Sequence, residues 1–164
     1  MRNLDAAYIA LAYSWAKNSR AVRLKVGAII VKDGQIISDG YNGTPYGMDN
    51  VCEVLRDTDK NETFDITLEE AESIGAEIAF GNYKNYALVS KPDVVHAELN
   101  AILKCARHQG GAEGATLYIT DSPCYQCAIT IVQSGIKRVV YDREYRITDG
   151  LDLLRKAGVE VVKI

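Results

Sequence analysis

Two short strings carry residue types that could do chemistry together: His96-Ala97-Glu98 and Pro123-Cys124-Tyr125-Gln126-Cys127. They supply one imidazole, two thiolates and a free carboxylate. Three ligands of borderline-soft character hold a tetrahedral zinc and keep its fourth position open for water, whereas a closed structural site uses four protein ligands. Zinc lowers the pKa of such a water from about 15.7 to roughly 7, so hydroxide becomes available to attack an amidine-like ring carbon. Glu98 has the chemistry of a shuttle that takes the water's proton, delivers it to a ring nitrogen and later protonates a departing amine.

Each string alone is ambiguous. A C-x-x-C pair serves in redox centres and in halves of zinc ribbons, and H-x-E recurs by chance. Their joint occurrence in this order, each ahead of a helical pattern, points to the zinc site of a hydrolytic deaminase. A redox pair would leave Glu98 without a task, and no thioredoxin-like pattern surrounds the cysteines. A structural zinc would need a fourth ligand, for which Cys52, Cys105 and His108 are the spare candidates.

The elements that must position these residues are legible around them. From Asp93 the chain reads DVVHAELNAILKCARHQGG, in which Val95, Leu99, Ile102, Leu103 and Ala106 form a helical apolar face and Gly110-Gly111 ends it. Asp93 is the expected cap, which places His96 and Glu98 in the first turn, where free N–H groups and the positive dipole end favour negative charge. A strand over Ala115 to Thr120 leads into Asp121-Ser122-Pro123. CYQCAITIVQSG then reads as a helix with both cysteines in its opening turn, where the dipole helps ionise thiols. Two facing helix starts would form the pocket.

Around that pair the chain reads as one α/β domain. Its 164 residues, 48% hydrophobic and 25% charged, suffice for a core of their own. No apolar run spans a membrane, and the opening MRNLDAAYIALAYSWA lacks signal-peptide features; Leu4, Tyr8, Leu11 and Trp15 instead form an expected core-facing helical stripe. KVGAIIVKDGQIISDGY signals a hairpin turning at Asp33-Gly34. A strand over Lys137 to Tyr141, a helix over about Asp149 to Ala157 and a final strand GVEVVKI complete the order. Strands separated by a helix should pair in parallel through right-handed crossovers, giving a mixed sheet covered by helices. Residues 53–91 fit least well: an acidic insertion with a capping-box pattern at Thr67-Leu68-Glu69-Glu70 opening a possible helix through Ala79, serving as a lid, an interface element or a solvated excursion.

The chain resembles the cytidine and deoxycytidylate deaminase superfamily, and within it the dCMP deaminases, those of tailed phages included. The resemblance rests on VGAII (Val26 to Ile30), GYNGTP (Gly40 to Pro45), HAELNAI (His96 to Ile102), EGATLYITDSPCYQCA (Glu113 to Ala128) and SGIKRVVY (Ser134 to Tyr141), and covers nearly everything except 53–91. It implies a three-layer α/β/α cytidine-deaminase-like fold with a central five-stranded mixed sheet, in a single deaminase domain over 1–164 with 53–91 as a family-variable insertion. It implies His96, Cys124 and Cys127 on one catalytic Zn2+ per subunit and Glu98 as proton shuttle. The Ala97 N–H would read the cytosine carbonyl oxygen, the Ser122 carbonyl would accept from the exocyclic amine, Val26 would pack on the ring, Asn42 would bond the sugar, and Tyr145 would stand near the substrate phosphate. It further implies a homohexamer activated by dCTP with Mg2+ and inhibited by dTTP, with Arg23, Lys25, Asn42, Gly43 and Arg107 as effector or subunit contacts. The activity implied is hydrolysis of dCMP to dUMP and ammonia, feeding dTMP synthesis.

Some relatives carry a second, structural zinc, but four cysteines and two histidines leave Cys52 without its usual partners. Cys105 reads as a small core residue and His108 as a cation near a helix C-terminus. Free thiols and a thiolate metal site suit a reducing cytoplasm, the host's for a phage protein. With 19 Lys and Arg against 22 Asp and Glu, a net charge of -3 and no basic run, a free nucleotide is the expected substrate and not a polynucleotide. A nucleoside, tRNA-adenosine or riboflavin-precursor deaminase remains the enzymatic alternative, and a non-catalytic nucleotide sensor the alternative of another class.

Overall fold

The first hairpin is fixed by its turn. Asp33 and Gly34 both have positive φ (51° and 77°), the left-handed pair that a two-residue type I′ turn requires. The computed structural model describes residues 4–108 and 110–164 and carries five helices and eight strands among them. Strands β1 (Gly27–Lys32) and β2 (Gln35–Tyr41) pair antiparallel across that turn.

The described chain forms two compact units. The first comprises the segment ending at Ser19, Val26–Tyr41 and His96–Ile164; the second comprises Arg20–Lys25 and Asn42–Val95. In the first, β1 and β2 join β6 (Thr116–Asp121), β7 (Arg138–Arg143) and β8 (Glu160–Lys163) in a mixed sheet of order β2-β1-β6-β7-β8. β6, β7 and β8 run parallel, as expected of strands joined through α4 (Tyr125–Gln133) and α5 (Asp149–Lys156), while β1 is antiparallel to β6.

Strand alternation divides this unit into three layers. Ala28, Ile30, Leu117, Ile119, Val139 and Tyr141 point to the face covered by α3 (Ala97–His108), α4 and α5. Their neighbours Ile29, Val31, Tyr118 and Val140 point to the other face, where Ile9 and Ala12 of α1 (Asp5–Ala16) cover them. Each buried Ile or Leu in such a core contributes about 1.5–3 kcal/mol. Cys105 belongs to the first of these clusters and is fully buried.

Helix α1 is turned from its expected face. It buries Asp5, Ile9, Ala12 and Ala16, whereas Leu4, Leu11 and Trp15 are exposed and Tyr8 is half-buried. Apolar residues surround most of this helix, so periodicity could not choose a side. Packing chose the small residues: a Cβ on Gly27 would lie 2.7 Å from the Ala16 amide nitrogen, so helix and strand backbones touch directly there. Asp5 is held by Arg138 (2.8 and 2.9 Å) and by the Tyr118 hydroxyl (2.9 Å).

The second unit contains the acidic stretch. Strands β3 (Glu53–Asp57), β4 (Thr63–Phe64) and β5 (Tyr86–Ser90) form an antiparallel sheet of order β4-β3-β5. Helix α2 (Leu68–Ala79) opens on the expected capping box: the Glu70 N–H donates to Thr67 Oγ1 (3.2 Å) and the Thr67 N–H to Glu70 Oε2 (2.7 Å). The sheet was not legible in the sequence. Among the described residues no helix is long and apolar enough to cross a membrane.

Candidate active site

Strand β6 ends at Asp121, and Ser122-Pro123 carries the chain to α4. Cys124 is the N-cap of that helix with extended backbone (φ -70°, ψ 170°), and Cys127 lies one turn on. Helix α3 begins at Ala97, and the Asn100 N–H bonds the His96 carbonyl (3.0 Å), so His96 holds the cap position instead of lying within the first turn. Asp93 lies outside the helix and does not cap it. The reason is local: Gly43 and Val95 form an isolated antiparallel bridge (3.1 and 2.8 Å) that keeps Val95 extended, so helical geometry cannot start before His96.

The two helix starts are held by close backbone contact. Gly40 on β2 lies against α3, where a Cβ would be 2.6 Å from the Ala101 amide nitrogen; Ser38 Oγ donates to the Ala101 carbonyl (2.7 Å) and Asn100 Nδ2 to that of Tyr41 (2.7 Å). Gly150, in the first turn of α5, touches the Pro123-Cys124 main chain in the same way.

These contacts bring the three candidate donors together. His96 Nδ1 is 3.6 Å from Cys124 Sγ and 3.4 Å from Cys127 Sγ, and all three donor atoms lie within 4.8 Å of one another. Zn–N and Zn–S bonds of about 2.0–2.1 and 2.3 Å meeting at a tetrahedral angle span about 3.6 Å, so both the donor set and its spacing fit zinc. Hydrogen bonding from Cys127 and His96 holds the Cys124 thiol down at about 4, the bond with Cys124 and burial push Cys127 up, and the same contact with Cys124 raises His96. Glu98 is buried (4% exposed), bonds the Cys127 thiol, and is pushed up to about 7 by desolvation. A carboxyl balanced near neutrality can both accept and return a proton.

The remaining expected residues divide between the units. Val26, Ala97, Ser122, Tyr145 and Arg107 belong to the first unit with the donor triad. Ala97 and Ser122 are buried, Val26 and Tyr145 half-buried, and Arg107 is exposed in the last turn of α3 beside His108. Antiparallel register sets Val26, just before β1, beside the end of β6, where the Gly27 N–H donates to Thr120 Oγ1 (3.3 Å). Arg23, Lys25, Asn42 and Gly43 belong to the second unit. There Arg23 donates from its main chain to Glu53 Oε1 (3.1 Å) and from Nη1 to Ser90 Oγ (3.1 Å), and Asn42 Nδ2 donates to the Leu24 carbonyl (2.8 Å).

Three groups escaped sequence reasoning. Asp121 and Arg143, the last registered pair of β6 and β7, are joined at 2.8 Å, and the Arg146 guanidinium stands 5.8 Å from the Tyr145 ring centroid. A lone Asp and two Arg residues carry no motif, and only strand register brings the first two together.

Comparison with known proteins agrees with this geometry. Residues 2–143 match the family model "Cytidine and deoxycytidylate deaminase zinc-binding region". The deoxycytidylate deaminase of Enterobacteria phage T4 is 40% identical over 166 aligned positions, covering 94% of this chain and 86% of that protein. That of Mycobacterium phage D29 is 36% identical over 140, covering 85% and 94%. The crystal structure of the dCMP deaminase from cyanophage S-TIM5, in complex with dCMP and dUMP, superposes with a TM-score of 0.76 at 37% identity over 100% of this chain and 99% of that one. The five-stranded mixed sheet, the His/Cys/Cys cluster and these matches agree: the chain belongs to the cytidine and deoxycytidylate deaminase family.

Proposed function

We propose that this deaminase converts dCMP and water to dUMP and ammonia, supplying dUMP for dTMP synthesis. The observation that carries the reading is the His96, Cys124 and Cys127 triad with the buried Glu98 carboxyl beside it. The acting substrate of the phage relatives supports the choice of dCMP. Zinc held by the three donors supplies Lewis acidity that makes hydroxide available near neutral pH. Glu98 accepts the attacking water's first proton and passes it to N3 of the ring, then takes the second proton from the same oxygen as it becomes the C4 carbonyl and gives it to the leaving amine, so one carboxyl serves as base and then acid twice over. The Ala97 N–H, free at a helix start, donates to the cytosine carbonyl oxygen. The Ser122 carbonyl accepts from the exocyclic amine, Val26 packs on the ring and Asn42 bonds the sugar. Tyr145, with the Arg146 cation over its ring, meets the 5′-phosphate.

The same reading makes 1–164 one deaminase domain with 53–91 as its variable insertion, working in the cytoplasm as a homohexamer. Activation by dCTP with Mg2+ and inhibition by dTTP would act through Arg23, Lys25, Asn42 and Gly43, with Arg107 toward a subunit contact. The test is ammonia release from dCMP, CMP, deoxycytidine and cytidine, each with and without dCTP and Mg2+. Turnover of dCMP far above the other three is expected, raised by the effector. Glu98→Gln should keep its zinc and lose about 10²–10⁴-fold in kcat. Equal turnover of nucleosides would remove the phosphate site, and wild-type silence on all four would turn attention to tRNA, riboflavin precursors or a sensing role.

A further inference from the structure

Beyond the zinc cluster, the ends of β6 and β7 are fastened by an unusual set of bonds. The parallel ladder continues one step past the last registered pair, Asp121 and Arg143, because the Ser122 N–H donates to the Arg143 carbonyl (2.8 Å). The Asp121 carboxylate accepts from Arg143 Nη2 (2.8 Å) and from Thr120 Oγ1 (2.7 Å). The Arg143 guanidinium lies 5.4 Å from the Tyr13 ring centroid, and the Tyr13 hydroxyl donates to Asp142 Oδ2 (2.5 Å). Ser122 is thus held rigidly at the strand exit, and it is 5% exposed.

Its side chain then reaches across to the next segment. The Tyr145 N–H donates to Ser122 Oγ at 2.8 Å. Among the described residues, no other main-chain N–H from Glu144 to Thr148 finds a hydrogen-bond partner, and Thr148 makes no side-chain cap to α5. Among the described residues that hydroxyl therefore makes the one main-chain N–H bond of the stretch that carries Tyr145 and Arg146, while at its start the Glu144 carboxylate accepts from the Tyr141 hydroxyl (3.3 Å) and lies 3.8 Å from Lys163 Nζ.

We propose that the Ser122 hydroxyl is a positioning group that sets the preference for a 5′-nucleotide over the nucleoside, by holding Tyr145 in register with the carbonyl of the same serine. The inference rests on the proposed function, in which that carbonyl meets the substrate amine and Tyr145 meets the phosphate. Both contacts then radiate from one residue, so base and phosphate are measured against a common point. Removing the hydroxyl leaves the carbonyl in the chain but releases the Tyr145 main chain and orphans its N–H.

The test compares kcat and KM for dCMP and deoxycytidine in zinc-loaded wild type, Ser122→Ala and Ser122→Cys, with Tyr145→Phe and the Ser122→Ala/Tyr145→Phe double variant. Ser122→Ala should lower the ratio of kcat/KM for dCMP to that for deoxycytidine by about tenfold, chiefly through KM for dCMP. Ser122→Cys, similar in size and a weaker acceptor, should fall between and covers the case in which alanine loosens the fold. In the double variant the ratio should fall no further than in the more affected single variant, because the two groups act as one unit. Equal losses on both substrates, or an unchanged ratio in folded, zinc-loaded Ser122→Ala and Ser122→Cys, would overturn the inference. A wild type that itself shows no preference for dCMP would instead refute the functional reading beneath it.

Discussion

Gly150→Ala should disable the metal site from a distance in sequence, although alanine is the better helix former. Gly150 lies in the first turn of α5 and is buried. In an exposed helix interior the change would stabilise by about 1 kcal/mol. Here the added Cβ would overlap the Pro123 carbonyl oxygen and come within 2.9 Å of both carbonyl atoms of Cys124. Restoring ordinary separations of about 3.5 Å requires a retreat of about 1 Å, made by backbone and not by a flexible side chain. Overpacking of this kind costs about 1–3 kcal/mol, which outweighs the gain in propensity and leaves a net loss of about 1 kcal/mol. The strain falls on the N-cap of α4, so Cys124 moves relative to His96 and Cys127. A displacement of about 1 Å at a reacting centre costs about 10²-fold in rate. The assay is threefold: zinc per chain by elemental analysis, urea midpoint, and ammonia release from dCMP. A variant with full zinc, a raised midpoint and turnover within about twofold of wild type would refute the claim that α5 presses on the ligand segment.

Two further outcomes follow from the same unit. Cys127→Ala leaves two of the three candidate donors, so zinc should fall well below one per chain and deamination should be lost; a chelator should inactivate wild type and added zinc restore it, while the variant stays inactive. Asp5→Asn should lower stability by about 2 kcal/mol at neutral pH, since it removes the charge that a buried carboxylate sets against the half-buried Arg138 and leaves that guanidinium to Glu160 alone. Bonding to Arg138 holds the Asp5 carboxyl below its ordinary 3.8, so the native state binds the proton less readily than the unfolded chain. Its stabilisation is therefore complete above that value and lost as pH falls through the lower native value, so the urea midpoints of wild type and variant should converge only as pH falls below the ordinary carboxylate range. A gap in midpoint that persists unchanged in acid would show that the ion pair is not its source.

What could be read from the chain and what could not differ in physical kind. The candidate donors and the carboxyl beside them were legible because chemistry fixes their types and the covalent chain fixes their spacing: the donor His96 and the carboxyl of Glu98 flank one residue, and the donors Cys124 and Cys127 are a helical turn apart. The parallel pairing of β6, β7 and β8 was legible because a helix between strands admits one handed solution. The face of α1 was not, since an almost wholly apolar helix offers packing several choices and the decision lay with Gly27 on another element. The start of α3 shifted to His96 because the Gly43–Val95 bridge, a contact distant in sequence, holds the preceding residue extended. The sheet of the second unit escaped because β3 places Glu53 and Asp57 at its ends, and their burial makes sense only through what they bind: Glu53 accepts from the Val22 and Arg23 N–H groups, Asp57 from those of Asp59 and Lys60.

The same division runs through the site itself. Zinc ligation and proton transfer depend on a few atoms whose identities the reaction dictates, and such residues announce themselves. Where those atoms stand depends on Gly40 and Gly150, which matter for the side chain they lack, and on Asp121, Arg143 and Ser122, which matter for the register of two strands. A glycine that admits a backbone and a serine that anchors a neighbouring loop have no signature of their own, because the same residue types also stand where they do nothing of the kind: Gly110 and Gly34 meet no atom that a Cβ would touch, and Ser14 bonds back along its own helix. The reaction class is therefore carried by composition at a few positions, whereas substrate preference is carried by placement, and the Ser122 hydroxyl is where the two can be separated by experiment.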